Sequence, residues 1–437
     1  MDNNYSEQVN QLEGRAKAIH SFLSYAPRAF VVEFSGTPKS GKSTSVEAIR
    51  HFFARHQFRV HVLAERAAVC PIPMKGHLFF NTWCATSMLA ELLANVETET
   101  DIIIVDRGLF DSLVWMTMQE DRGELTAQEA RTIEGFLLLD RWCTLTDLAV
   151  VMSVSPDEAL SRENAQRITT KSGSIMNRDV LTAIITSVEK SIKKYSPRFR
   201  GVIHHDTTGL QVRQSNIYLA ENILDQLEQF LNPEILVVPR QELSKLVLRN
   251  GGAFGDSAIN EAHDCIRKYG TFIRRANAEK SSEYVQIAPC AILFFENQVF
   301  LFQRKEADPK SRLYGKTTIL RGCHVSKRSG VDLPELLQQS LQDKVSGSLH
   351  LSRVFGFKAQ GFCWDRENEY SKRHFGVIYK IVIDNPHTAV DLKKKEFRKQ
   401  RGHDLIGSFV SGGDVRARQE ELNLENWSRT ILRNLVI

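Results

Sequence analysis

The sequence predicts two fused layered domains: an α/β domain on a mostly parallel sheet, then a β-rich α+β domain. Three observations carry this prediction. Short apolar runs alternate with helix-spaced stretches over roughly the first 200 residues, the pattern of a parallel sheet with helices on its faces. A glycine loop separates the first apolar run from the first helical stretch. After Asn232-Pro233 the pattern turns β-rich, which divides the chain into 1–233 and 234–437.

The elements follow in order. Residues 1–27 form a helical preamble, and Ala29-Phe-Val-Val-Glu-Phe34 is a buried strand. After Gly41, the residues Val46, Ile49, Phe52 and Phe53 share one side of a helix. Phe58–Leu63 is the second strand and 81–95 a long helix. Asp101–Val105 is the third strand, with helices over 109–120 and 126–142. Asp147–Met152 and Gly201–His204 are the fourth and fifth strands, and 214–230 is the closing helix. Beyond the boundary, Ile235–Val238, Ala291–Phe295, Val299–Phe302 and Phe375–Ile383 are strands. Asn250-Gly-Gly-Ala-Phe-Gly255 is expected to be a flexible loop with no long helix after it, not a dinucleotide fingerprint.

The composition is that of a soluble globular chain: 437 residues, 42% hydrophobic and 25% charged. A net charge of +5 permits a basic phosphate cleft but does not point to a nucleic-acid binder. The seven cysteines are scattered, without a C-x-x-C pair, and are expected to be reduced and mostly buried in a cytoplasmic protein. The N-terminus has no apolar leader region, and no apolar run is long enough to span a membrane.

Gly36-Thr-Pro-Lys39-Ser40-Gly41-Lys42-Ser43-Thr44 fits G-x-x-x-x-G-K-[ST] between a strand and a helix, the context of a P-loop. Its backbone N–H groups and helix N-terminus face a phosphate chain. Lys42 would neutralise the β- and γ-phosphates and Ser43 would hold Mg²⁺, so ATP and Mg²⁺ are the expected cofactors. In open parallel sheets, ligands bind beyond the strand ends. Asp106, at the end of the third strand, would be a Mg²⁺ ligand or a base. Arg107 beside it would hold the acceptor or the transferred group, unless the two are a helix-capping surface pair. Glu65-Arg66 closes the second strand as a candidate substrate contact or a solvated loop pair. Arg162, Arg167, Lys171 and Arg178 suit a phosphate-closing lid or a charged surface helix. Phe80, Asn81 and Trp83 suit a base pocket or core packing.

These motifs carry a resemblance. Residues 28–230 resemble the thymidylate kinase and deoxynucleoside kinase branch of P-loop kinases. It rests on Phe34–Thr44, on Asp106-Arg107 with Asp111-Ser112 and Trp115, and on Pro156, Ala159 and Arg162. Gly108 replaces the aromatic of the Asp-Arg-Tyr motif, and Glu65-Arg66-Ala67 replaces Arg-Glu-Pro. The resemblance implies a P-loop kinase-type sheet and phosphorylation of a nucleoside or nucleoside monophosphate. It places Glu65 where deoxynucleoside kinases carry their base and adds Asp111 to the substrate site. Related kinases assemble through helical faces, so 109–142 is a candidate homo-oligomer surface.

Residues 235–437 are similar to the Nudix hydrolase fold, through Leu320-Arg-Gly322-Cys-His324-Val325, the helix Leu333–Val345, His374-Phe-Gly376 and Glu425-Asn-Trp427-Ser428. The glutamate set of a Nudix box is replaced by Gln339-Ser-Leu-Gln-Asp343-Lys344. With Glu335 and Asp343 as the acids there, a pyrophosphate-bound Mg²⁺ would lack its ligands, so a non-hydrolytic binding, regulatory or oligomerising module is expected. The basic run Lys393–Arg401 reads as a solvated face, and His204-His205 lacks metal-ligand spacing. Two alternatives to the kinase stand beside it: a nucleotide sensor with little turnover, and an NTPase with water as acceptor.

Overall fold

The computed structural model describes residues 2–23, 26, 28–74, 76–166, 168, 173, 175–248, 251–303, 315–328, 330–349, 356–366, 371–383 and 407–434. The chain divides into two compact units, Met1–Leu231 and Asn232–Ile437.

The first unit is a five-stranded parallel sheet between helical layers. Its elements are α1 (Asp2–His20), β1 (Phe30–Gly36), α2 (Lys42–Arg55), β2 (Val60–Leu63), α3 (Leu78–Asn95), β3 (Ile102–Asp106), α4 (Leu109–Asp121), α5 (Ala127–Leu137) and α6 (Asp140–Cys143). They continue with β4 (Leu148–Ser153), α7 (Pro156–Gln166), α8 (Arg178–Tyr195), β5 (Val202–Asp206) and α9 (Val212–Leu231). The strand order is β2-β3-β1-β4-β5, and the register pairs Phe34 with Asp106 and Gly36 with Met152. Side chains alternate across β1. Phe30, Val32 and Phe34 join the core beneath α1, α2 and α9, while Ala29 and Val31 face Met88 and Leu92 of α3. The helix expected over 126–142 is broken, because extended Leu139 separates α5 from α6.

The second unit holds a nine-stranded mixed sheet. Its elements are β6 (Glu234–Pro239), α10 (Arg240–Leu243), β7 (Gly252–Phe254), α11 (Asp256–Tyr269), β8 (Thr271–Arg274), α12 (Arg275–Lys280), β9 (Tyr284–Phe295) and β10 (Gln298–Phe300). Then come β11 (Phe302–Gln303), β12 (Thr317–Thr318), β13 (Leu320–Gly322), α13 (Leu333–Leu349), β14 (Phe357–Cys363), β15 (His374–Val382), β16 (Phe409–Ser411), α14 (Gly412–Ala417) and α15 (Asn426–Asn434). The central β9–β15 pair is parallel, from Gln286↔His374 to Phe294↔Val382. Leu336, Leu337 and Leu341 of α13 pack on one face, and Trp427 and Ile431 of α15 on the other.

The loop expected over 250–255 is overturned. Gly252–Phe254 pairs antiparallel with β14, and α11 follows at once. Here glycine marks close approach rather than freedom: a Cβ at Gly252 would sit 2.8 Å from the Phe362 carbonyl oxygen.

Among the described residues no helix is long and apolar enough to cross a membrane. All seven cysteines are free; Cys143, Cys290 and Cys363 are buried and the other four partly so.

Candidate functional site

The site begins with a backbone conformation. Gly36 has φ +124°, and a Cβ there would collide with the Met152 carbonyl. Lys39 and Gly41 are also left-handed, at φ +61° and +94°. The loop curls and hands the chain to α2, whose first residue is Lys42. The Lys42 ammonium is buried and folds back on the loop, donating to the carbonyls of Thr37 (2.6 Å) and Gly36 (3.1 Å). Burial, helped by the charge of Arg107, pulls its pKa down to about 7, against Asp111, Asp106 and Glu65. Its direct hydrogen-bond partners are thus loop oxygens, with the carboxylates acting from further off.

A pocket of about 740 Å³ opens over the loop. Its walls are Lys39–Thr44, Glu65 after β2, Asp106 at the end of β3 with Arg107 next to it, and Arg162 of α7. Burial raises the pKa of Asp106, opposed by Arg107 and Lys42.

Arg107 joins these parts. Its backbone is left-handed and its N–H donates to the Phe34 carbonyl at 2.9 Å. Its Nε lies 3.0 Å from the Glu65 carboxylate, and its Nη1 is 3.2 Å from both oxygens of Asp111. Burial alone would lower the pKa of Arg107, but Asp111, Glu65 and Asp106 outweigh it and raise the value. Asp111 is itself buried, accepting from the Ser35 hydroxyl (2.9 Å), the Gly36 N–H (3.2 Å) and the Trp115 indole (3.1 Å). It therefore ties Arg107 to the start of the P-loop rather than lining the pocket.

Beneath them lies Glu33, which the sequence reading passed over. Its carboxylate accepts from the N–H groups of Gly108 (3.0 Å), Phe110 (3.2 Å) and Asp111 (2.9 Å), at the N-terminus of α4. Burial raises its pKa to about 7 despite these bonds. A charged residue inside an apolar strand was the available signal.

Arg162 is fully engaged. It donates to the carbonyls of Lys39 (2.9 Å) and Thr207 (2.9 Å), to the Thr207 hydroxyl (3.2 Å) and to Glu158 (2.6 Å). Lys39 pairs with Glu163 at 2.8 Å, and Arg178 pairs with Asp157. Arg66 turns from the pocket to Ser87 and Glu91. Asn81 donates to the Ser112 carbonyl at 3.1 Å, joining α3 to α4. Trp83 is partly buried on α3 and is not a lining residue. Arg167 and Lys171 lie outside the described residues.

In the second unit, Glu335 bonds Gln339 at 3.0 Å and Asp343 pairs with Arg328 at 2.5 Å. Among the described residues these two acids join no metal-ligating cluster. The basic run 393–401 is outside the described residues.

No family model matches the chain. Protein YmaB of Bacillus subtilis (strain 168) is 25% identical over 203 residues, 45% of this chain and 95% of that protein. Deoxyadenosine kinase from M. mycoides, solved with dCMP and dCDP, is 19% identical, with 45% of this chain and 99% of that chain covered and a TM-score of 0.36. Thymidylate kinase from Candida albicans is 14% identical, covering 46% and 94%, with a TM-score of 0.34. Tm1382, described as a candidate Nudix hydrolase, is 18% identical, covering 46% and 98%, with a TM-score of 0.36.

Proposed function

We propose that the Met1–Leu231 unit transfers the γ-phosphoryl group of Mg-ATP to a hydroxyl of a nucleoside, with a nucleoside monophosphate as the second acceptor class. One observation carries this reading: a P-loop lysine, two carboxylates and an arginine converge on one pocket. The acceptor follows from charge. Beyond the P-loop, the Arg107 guanidinium is already matched by Glu65 and Asp111. A phosphorylated acceptor would need further cations there, whereas a neutral hydroxyl needs a base.

Lys42 would leave its carbonyl partners for the phosphates. Ser43 and Asp106 supply the oxygen donors that suit Mg²⁺, which when bound neutralises charge on the triphosphate. Glu65 would accept the hydroxyl proton. Arg107, held between Glu65 and Asp111, would face charge developing on the transferred group. Such transfer needs mainly positioning and charge neutralisation. The second unit, with its box acids apart, is proposed as a non-hydrolytic binding or regulatory module. The free cysteines support a cytoplasmic setting.

The test is transfer from labelled Mg-ATP to a panel of nucleosides and their monophosphates. Labelled nucleoside monophosphate, lost in Glu65→Gln, is expected. Phosphate release that no acceptor stimulates would indicate an NTPase. Tight ATP binding without turnover would indicate a sensor.

A further inference from the structure

The Asn232–Ile437 unit gathers a second set of reactive side chains that phosphoryl transfer does not use. Glu279 comes from α12, His324 from the segment after β13, and His374 from the first position of β15. One ligand atom from each lies within 4.8 Å of the others, and the two imidazole centroids are 5.8 Å apart. The three are anchored separately. The N–H of Cys323, just before His324, donates to the Pro289 carbonyl at 3.2 Å. His374 is fixed in the β9–β15 ladder. The Glu279 carbonyl accepts from Arg373 at 2.6 Å, so the carboxylate segment is tied to the neighbour of His374.

A second observation points to the same place. Gln286 is wholly buried, and neither polar atom of its side chain has a hydrogen-bond partner among the described residues. It is the register partner of His374. Register partners leave a sheet on the same face, so this carboxamide stands beside the imidazole. A buried amide without a partner is costly and calls for a ligand or an ordered water.

We propose that Glu279, His324 and His374 bind a first-row divalent cation of the zinc class, with Gln286 offering a hydrogen bond to a water on that ion. Two imidazoles and a carboxylate are the donor set such ions prefer, whereas Mg²⁺ takes oxygens. Zinc holds such donors at about 2.1 Å, which puts tetrahedral neighbours about 3.4 Å apart. With all three ligand atoms within 4.8 Å of one another, the cluster has to close by no more than about 1.4 Å. Arg275 works against the site: its Nε is 3.5 Å from Glu279 and competes for the carboxylate. Three protein donors leave a fourth position for water.

Zinc and cobalt ions are the probes, with the full chain free of nucleotide. Competition with a chromophoric chelator should show one tight zinc per chain, and bound cobalt should give the visible absorption of a low-coordinate site. His324→Ala and Glu279→Gln should each weaken zinc binding about tenfold or more. Arg275→Met should tighten it several-fold, and Lys42→Ala should match the parent chain. Thermal unfolding verifies that each variant is folded; Glu279→Gln and Arg275→Met change part-exposed positions and keep the test open if His324→Ala is not folded. No tight zinc in the folded parent chain overturns the proposal. So does zinc affinity that neither Glu279→Gln nor Arg275→Met changes.

Discussion

Glu33 and Gln286 are both polar residues at buried positions of a strand, one in each unit, and they are treated in opposite ways. Glu33 receives three backbone N–H groups and through them sets the start of α4. Gln286 receives nothing among the described residues. The contrast extends around them. In the first unit, Asp147 is paired to Arg28 at 2.6 Å and accepts the Val31 N–H at 3.0 Å, while Asp111 binds four partners. In the second, the Tyr379 hydroxyl and the Trp427 indole N–H are also without partners among the described residues. Buried polar groups that are fully bonded make a rigid frame. In the first unit the bonded carboxylates of Glu33 and Asp111 hold Arg107 beside the P-loop, although Arg107 Nε, Glu91 Oε2 and Gln119 Oε1 have no hydrogen-bond partner among the described residues. In the second unit the Gln286 amide is the group beside which the metal-bound water is proposed.

The largest expected effect is on chemistry: Lys42→Ala should lower phosphoryl transfer by about 10³-fold or more, read by ADP formation with acceptor present, while zinc binding stays unchanged. Next comes stability. Glu33→Ala would orphan three backbone donors and should cost about 3 kcal/mol, whereas Gln286→Leu in metal-free buffer should change stability by less than about 1 kcal/mol. Equal losses in denaturant titrations would erase the distinction between the units.

A smaller effect is protonic. The Lys42 pKa of about 7 in the folded chain lies below its ordinary 10.5. The unfolded chain therefore holds more protons between those values, and this group's contribution to stability grows as pH rises from about 7 to 10.5. Phosphate beside the ammonium should restore its proton. ATP binding at pH 8 should take up close to one proton and at pH 6 almost none, measured by calorimetry in buffers of different ionisation enthalpy. The smallest effect is expected in the second unit: Glu335→Ala and Asp343→Ala should leave hydrolysis of nucleoside diphosphate derivatives at the level of the parent chain.

Much of the first unit was legible in the sequence. Buried parallel strands are apolar runs, and the P-loop is read by contiguous spacing, so β1, β3, β4 and Gly36–Thr44 stand out. Glu65, Asp106 and Arg107 line one pocket because strand ends meet at one edge of such a sheet. Arg66, read from the same strand end, and Asn81, read as part of a base pocket, face neighbouring helices instead, because proximity in sequence does not fix side-chain direction. Asp111 was assigned to substrate by resemblance, and only its hydrogen bonds show it holding Arg107. Glu33 was missed although a carboxylate in an apolar strand is visible. In the second unit, β7 was hidden by its glycines, and the cluster of Glu279, His324 and His374 is assembled by long-range pairing that no local spacing records.

The chemistry proposed for the first unit is phosphoryl transfer to a hydroxyl. The most direct test is ³¹P NMR of the full chain with Mg-ATP and a deoxynucleoside. A nucleoside monophosphate resonance rising one for one with ADP, and absent with Lys42→Ala, is predicted. Inorganic phosphate rising in its place, or an unchanged ATP spectrum, would contradict the claim.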